Sequence, residues 1–169
     1  MGHAPIITPK FLDHVAMVLS LTTPAVAAFC ADNRTGGCVY ICDAEGSQLI
    51  HKMVGAPAPE KMAKYREFSR EKALRLLGHP KHTTSRQSRD PEQQRYGGAV
   101  RLPGSSIIVS FSGFSEVDDE IYSAIIGMML FRASYTEVLD AIDRQLNEEH
   151  WQAMKRVFKA AQTKPVETA

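Results

Sequence analysis

The chain has 169 residues, enough for one domain with its own core. Apolar residues make up 44%, charged residues 23%, and the formal net charge is +1 at pH 7. That balance gives no bulk electrostatic case for a nucleic-acid or membrane partner. Thr8-Pro9 is a helix start, a capping hydroxyl followed by proline in the first turn. Phe11, Val15, Val18 and Leu19 recur at helical spacing. Thr23-Pro24 repeats the start signal, so this helix either kinks there or ends and restarts, finishing near Asn33. Val15 to Ala31 imitates a secretory signal, but Asp13 and His14 border its start and Pro24 interrupts it. We read it as helical core, too broken to span a membrane.

Cys38 to Asp43 is a β-rich run, Asp43 to Gly46 a turn, and Ser47 to Val54 the returning strand of a hairpin. A helix follows from Pro59 to Leu77, with Met62, Phe68, Ala73 and Leu76 as its inner face, and Gly78 and Pro80 end it. His79 to Arg95 is a polar, basic loop of a length that is usually functional or mobile. Ala99 to Leu102 and Ser106 to Ser112 are two further strands. Ser115 then caps an apolar helix, with Asp118 completing a capping box. An amphipathic helix from about 136 to 161 carries Val138, Ile142, Leu146, Met154 and Phe158 in register. One domain therefore spans 1–162, and 163–169 form a tail.

Charge is segregated along the chain. Residues 61–95 hold ten Lys/Arg against four Asp/Glu, and residues 115–155 hold nine Asp/Glu against three Lys/Arg. Solvated helix faces explain this, with self-association through complementary faces as the alternative. Cys30, Cys38 and Cys42 are an odd number, which points to reduced thiols and a cytoplasmic setting. Cys38 and Cys42 lie roughly 13 Å apart on one strand, at about 3.3 Å per residue, too far to share a metal ion. They are expected as small buried residues.

The richest stretch is Tyr96 to Glu120. Gly97-Gly98 opens one strand, Pro103-Gly104 turns it, and the next strand delivers Ser112-Gly113 to a helix N-terminus. Glycine lets backbone approach a ligand closely, and unpaired helix-start N–H groups favour anions. Glu116, Asp118, Asp119 and Glu120 complement the helix dipole. Asp119 is also a candidate general base. No nucleophile elbow, Ser-His-Asp order or phosphate loop is legible, so the residues favour binding over catalysis. His79 and His82 lack the further donor a zinc site needs.

The order and punctuation from Thr8 to Met129 resemble the GlcG/HbpS family, which includes the C-terminal domain of PduO-type proteins. The family's "V-D-x-x-G" strand end is met by Ile41 to Gly46, its "R-M-D-G-A" by Lys52 to Ala56, and its "K-A" pair by Lys72-Ala73. Its "G-G-V-P-I" is met from Gly97-Gly98, and its "G-V-S-G" with a following "D-E" by Ser112-Gly113 and Asp119-Glu120. The resemblance implies an α/β (α+β) fold, a profilin-like antiparallel sheet flanked by helices, here with an extra C-terminal helix. It implies homo-oligomers and, for some members, haem. Three departures, Val54, Val100 and Ser110, are expected to make the family pocket less open.

Three functions follow as expectations. The first is an oligomeric small-molecule-binding protein holding haem or a related tetrapyrrole between the sheet and the first helix. Gly97, Gly98, Ser112 and Gly113 then supply backbone contacts and the 79–95 loop the rim. His14 or His51 is the iron ligand, with Thr83 or Thr84 beside the iron by family analogy. The second is an enzyme or enzyme accessory acting on a small oxygenated metabolite, with Arg86 or Arg89 clamping the anion and Asp119 as base. The third is a non-catalytic assembly scaffold.

Overall fold

Thr8 caps the first helix, its hydroxyl accepting the Phe11 N–H at 3.1 Å. In the computed structural model, which describes residues 7–28, 33–132 and 138, helix α1 spans Pro9–Ala27. It runs through Pro24 without ending, so Thr23-Pro24 is not a second start. The hydroxyls of Thr22 and Thr23 instead turn back onto the carbonyls of Val18 and Leu19, at 2.8 and 2.6 Å. Both also meet the Tyr122 hydroxyl, which fastens α1 to a later helix.

Four strands form one antiparallel sheet in the order β2-β1-β4-β3. They are β1 (Gly36–Cys42), β2 (Gln48–Gly55), β3 (Ala99–Arg101) and β4 (Ile108–Ser112). A 3-10 turn, Pro59–Lys61, leads into α2 (Met62–Leu77), and Ser115 caps α3 (Glu116–Phe131). The architecture is the α+β class expected: an antiparallel sheet with helices on both sides.

Strand alternation explains the layering. Val39, Ile41, Val109 and Phe111 face one side, where they pack with Val15, Val18, Ile121 and Ile125 of α1 and α3. Tyr40, Cys42 and Ile108 face the other, against Ala73 and Leu76 of α2. Covered on both faces, β1 is buried at every position. Cys38 and Cys42 are free, buried thiols as expected, and burial pushes the Cys42 thiol up to about 11. Cys30 lies outside the described residues.

The inner face of α2 differs from the expected one. Met62 is exposed, and the buried set is Tyr65, Ser69, Lys72, Ala73 and Leu76. The 79–95 loop is tightly fastened. Arg75 donates to Ser85 O, Ser88 O and Tyr96 O, and Arg101 to Leu76 O and His82 O. The helix expected over 136–161 lies outside the described residues, except that Val138 is helical and fully buried. Among the described residues no helix is long and apolar enough to cross a membrane.

The Tyr122 contact yields a first test. Tyr122→Phe removes the hydroxyl that joins α3 to α1 but leaves both threonines their backbone partners. We expect a loss of about 1 kcal/mol, read as a lower urea midpoint at unchanged m-value. An unchanged midpoint would show that the contact adds nothing.

Candidate functional site

Two backbones touch where β1 begins and β4 ends. A Cβ on Gly37 would stand 2.2 Å from Ser112 O, and one on Gly113 would stand 2.5 Å from Gly36 O. Only glycine allows this approach. It brings the Ser112-Gly113 corner against the start of α3, where Asp119 takes charge of it. Asp119 Oδ1 accepts the N–H groups of Gly113 and Phe114 at 3.1 and 2.8 Å, and Oδ2 pairs with Lys72 Nζ at 2.7 Å. Lys72 also donates to Phe111 O at 3.1 Å. The two side chains are only 3% and 4% exposed.

Gly98 completes the arrangement. It sits at φ +129°, and a Cβ there would lie 2.8 Å from both Lys72 Nζ and Asp119 Cβ. The two small-residue corners therefore meet around one carboxylate. Burial pushes Asp119 up to about 6, against the opposing pull of Lys72 and of the two N–H donors.

Beside this pair opens a cleft of about 510 Å³, between α2 and the β4–α3 corner. That volume lies within the range of small-molecule sites, roughly 300–1,000 Å³. Ser112, Gly113, Phe114 and Ser115 line it on the β4–α3 side. Tyr65, Phe68 and Tyr96 give it aromatic walls, the last two with ring centres 5.9 Å apart. Arg34, Lys61, Lys64 and Lys72 supply four cations against the two carboxylates of Glu116 and Asp119. Lys64 stands over the Phe68 ring at 5.1 Å. Arg34 reaches across to Phe114 O at 2.7 Å.

The cleft is not where the sequence suggested. The space between the sheet and α1 is filled by Val15, Val18, Leu19, Val26, Phe111 and Phe114. Ser112 and Gly113 line the cleft as expected, whereas Gly97 and Gly98 lie behind it. Gly97 N donates to Glu116 Oε1 at 2.7 Å. Val54, Val100 and Ser110 are buried, and none lines the cleft.

The loop arginines are spent within the chain. Arg86 pairs with the buried Glu120 at 3.0 Å, and Arg89 with Glu116 at 2.9 Å. Neither lines the cleft, so the expected anion clamp is not assembled there. Thr84 caps a 3-10 turn at Ser85–Ser88, and Thr83 bonds Gln87. Both lie away from the cleft, and the 79–95 loop does not form its rim. The acidic run thus has specific partners beyond the helix dipole. The Asp118 N–H donates to Ser115 Oγ at 3.2 Å, the cap expected there, and its carboxylate accepts the Ser115 hydroxyl at 2.7 Å.

Haem through the expected histidines does not fit. His14 is on α1, across the sheet from the cleft. His51 lies edge-on to Tyr40, with Nε2 3.3 Å from Arg66 O. Among the described residues, no imidazole, thioether or thiol lines the cleft. His79 and His82 stack on each other, and no group of three or more His, Cys, Asp or Glu among the described residues is placed to hold a metal ion.

A second hollow, about 770 Å³, lies between α2 and the 79–95 loop. Its wall sets Glu67, Glu71 and Asp90 against Arg70, Arg75, Arg89 and Arg95, with Arg75 paired to Glu71 and Arg89 to Glu116.

Several cleft residues escaped the sequence reading. Lys61, Lys64, Phe68 and Lys72 follow one another at helical spacing, a stripe of cations around an aromatic ring. That stripe was the available signal, hidden because Phe68 also suits a core position. Arg34 and Tyr96 carry no local signal, since tertiary structure alone brings them in.

No protein-family model and no curated protein sequence matches this chain. Among solved structures it is similar to the Klebsiella pneumoniae protein ORFY, described as DUF336. Identity is 15%, with 79% of this chain and 97% of that one covered, at a TM-score of 0.53. The two proteins share a fold. A structure titled as a PduOC:heme complex also aligns, at 15% identity over 81% of this chain and 95% of that one, with a TM-score of 0.45. The α+β architecture implied by the GlcG/HbpS resemblance is thus the one found.

The ion pair is directly testable. Asp119→Asn keeps an acceptor for Gly113 and Phe114 but strands Lys72 as a buried cation, at a cost of about 3–5 kcal/mol. Adding Lys72→Met should recover most of that loss. Chemical denaturation of both variants measures it, and a double variant no more stable than Asp119→Asn would rule out the charge as the cause.

Proposed function

We propose that this protein binds a small anionic molecule with a flat, apolar body in the cleft between α2 and the β4–α3 corner. One observation carries this reading. With Lys72 held by Asp119 and Glu116 held by Arg89 and Gly97, Lys61 and Lys64 stand at the cleft mouth with no ion pair among the described residues. Their charge is placed to receive a carboxylate, phosphate or sulfonate. Phe68, Tyr65 and Tyr96 offer aromatic faces to the rest of the ligand.

Tetrapyrroles belong to this class through their flat ring and carboxylates. The donor set favours holding them by ring and carboxylate, since no imidazole among the described residues lines the cleft. We therefore expect hemin and iron-free protoporphyrin to bind with affinities within a few-fold of each other. Lys64→Glu should weaken both at least tenfold, with the melting temperature unchanged within a few degrees. Absorbance and fluorescence titrations read the affinities. Failure of either porphyrin and of a simpler flat anion, 2-naphthalenesulfonate, to bind would overturn the proposal. Binding of hemin alone, lost in His51→Ala, would favour iron ligation instead.

Catalysis is the weaker reading. A general base needs a lone pair turned to its substrate, and both Asp119 oxygens are occupied by donors. The homo-oligomer expected from the sequence belongs to this proposal. Its support is the exposure of Ile7, just before α1, and of Leu12 and Met17 on it, all 39% or more accessible. Native mass measurement of the full chain should give a multiple of 18.7 kDa, and a monomer at micromolar concentration would dismiss it.

A further inference from the structure

Lys72 holds an unusual position in the cleft. It is the deepest of the four cations, and its charge is already committed to Asp119. A bound anion that reached it would compete with that carboxylate for the same ammonium. Two negative charges on one buried cation, with little water present, repel strongly. The cheapest relief is to neutralise one of them.

Resting on the binding reading above, we propose that the cleft takes up its anion together with one proton: the anion takes over Lys72, and the proton goes to Asp119. Lys72 is then the residue that selects an anion at the inner end of the cleft. The protonated Asp119 keeps a carbonyl oxygen for the Gly113 and Phe114 N–H groups, so the corner holds its shape. Its new hydroxyl donates a hydrogen bond to the bound anion.

The surroundings single out Asp119 as the group that titrates. From α2 it meets Lys72, and from its own helix Glu116, Asp118 and Glu120 stand nearest in sequence. Arg89 pairs with Glu116, Arg86 with Glu120, and the Ser115 hydroxyl with Asp118, so each has a donor of its own. Arg34 comes from the segment before β1 and bonds Phe114 O. Among the described residues, no histidine lines the cleft. The resting position of Asp119, about 6, puts the exchange within reach of neutral solution.

The sign follows from linkage. A ligand that raises the Asp119 pKa binds more tightly as pH falls toward 6, and its affinity levels off below that. The gain is at most tenfold per pH unit.

The test uses 2-naphthalenesulfonate, whose charge is constant across this range, with the full chain. Calorimetric titrations at pH 7 in two buffers of different ionisation enthalpy count the protons taken up. A substantial fraction of one proton per ligand is expected at pH 7, falling toward zero at pH 5. Asp119→Asn should abolish the uptake. Should that variant not fold, carbon-13 titration of the wild-type Asp carboxyl signals replaces it. One signal with a midpoint near 6 should move upward on ligand addition. Binding with no proton uptake and no such signal overturns this inference and leaves the binding site standing. Absence of binding at any pH overturns both.

Discussion

A single buried charge pair organises this molecule. Lys72 comes from α2 on one face of the sheet, and Asp119 from the start of α3. Their contact is made past the end of β4, so it locks both helices and the strand at one point. Burying two charges is costly, and the cost is offset only when every remaining donor and acceptor is used. Here two backbone N–H groups meet the carboxylate and the Phe111 carbonyl accepts a second bond from the ammonium. The pair in turn dictates Gly98, since any side chain there would collide with both partners.

The same pair decides where charge is left over. The opposite charges of the two chain segments meet inside the molecule, through Lys72–Asp119, Arg86–Glu120 and Arg89–Glu116. Neither the solvated faces nor the intermolecular pairing expected from the sequence describes them. Docking the loop on α3 consumes the acids of the helix start, and the lysines of α2 that face the cleft keep their charge. A basic cleft on a chain of net charge +1 is thus a product of folding, invisible to composition.

The sheet and its helices were legible because their signals are local. The Thr8 and Ser115 caps, the Asp43–Gly46 turn and the β-rich run of β1 each report on a few neighbouring residues. Pro24 misled because the cost of a proline in a helix can be met by the packing around it. The α2 face misled because two of its buried positions are Ser69 and Lys72, which hydrophobic periodicity counts as exposed. Within the Gly97-Gly98 and Ser112-Gly113 corners picked out in the sequence, Gly98 and Gly113 are the positions with no room for a side chain. The expected reason was wrong for Gly98: its missing side chain makes room for Lys72 and Asp119, not for a ligand.

That distinction bears on how such a site works. A glycine that admits a ligand leaves the pocket to be shaped by what enters. A glycine that admits an ion pair shapes the pocket before anything enters, because the buried pair already stands at 2.7 Å. The floor at Ser112-Gly113 is therefore set in advance, held from below by Asp119 and from the side by Gly36-Gly37. The rim differs in kind. Lys61 and Lys64 are exposed side chains with several rotatable bonds, able to follow anions of different size. A rigid inner end with an adaptable basic mouth suits recognition of a chemical class. It suits catalysis less, which needs its reactive groups as fixed as the floor and with a lone pair to spare.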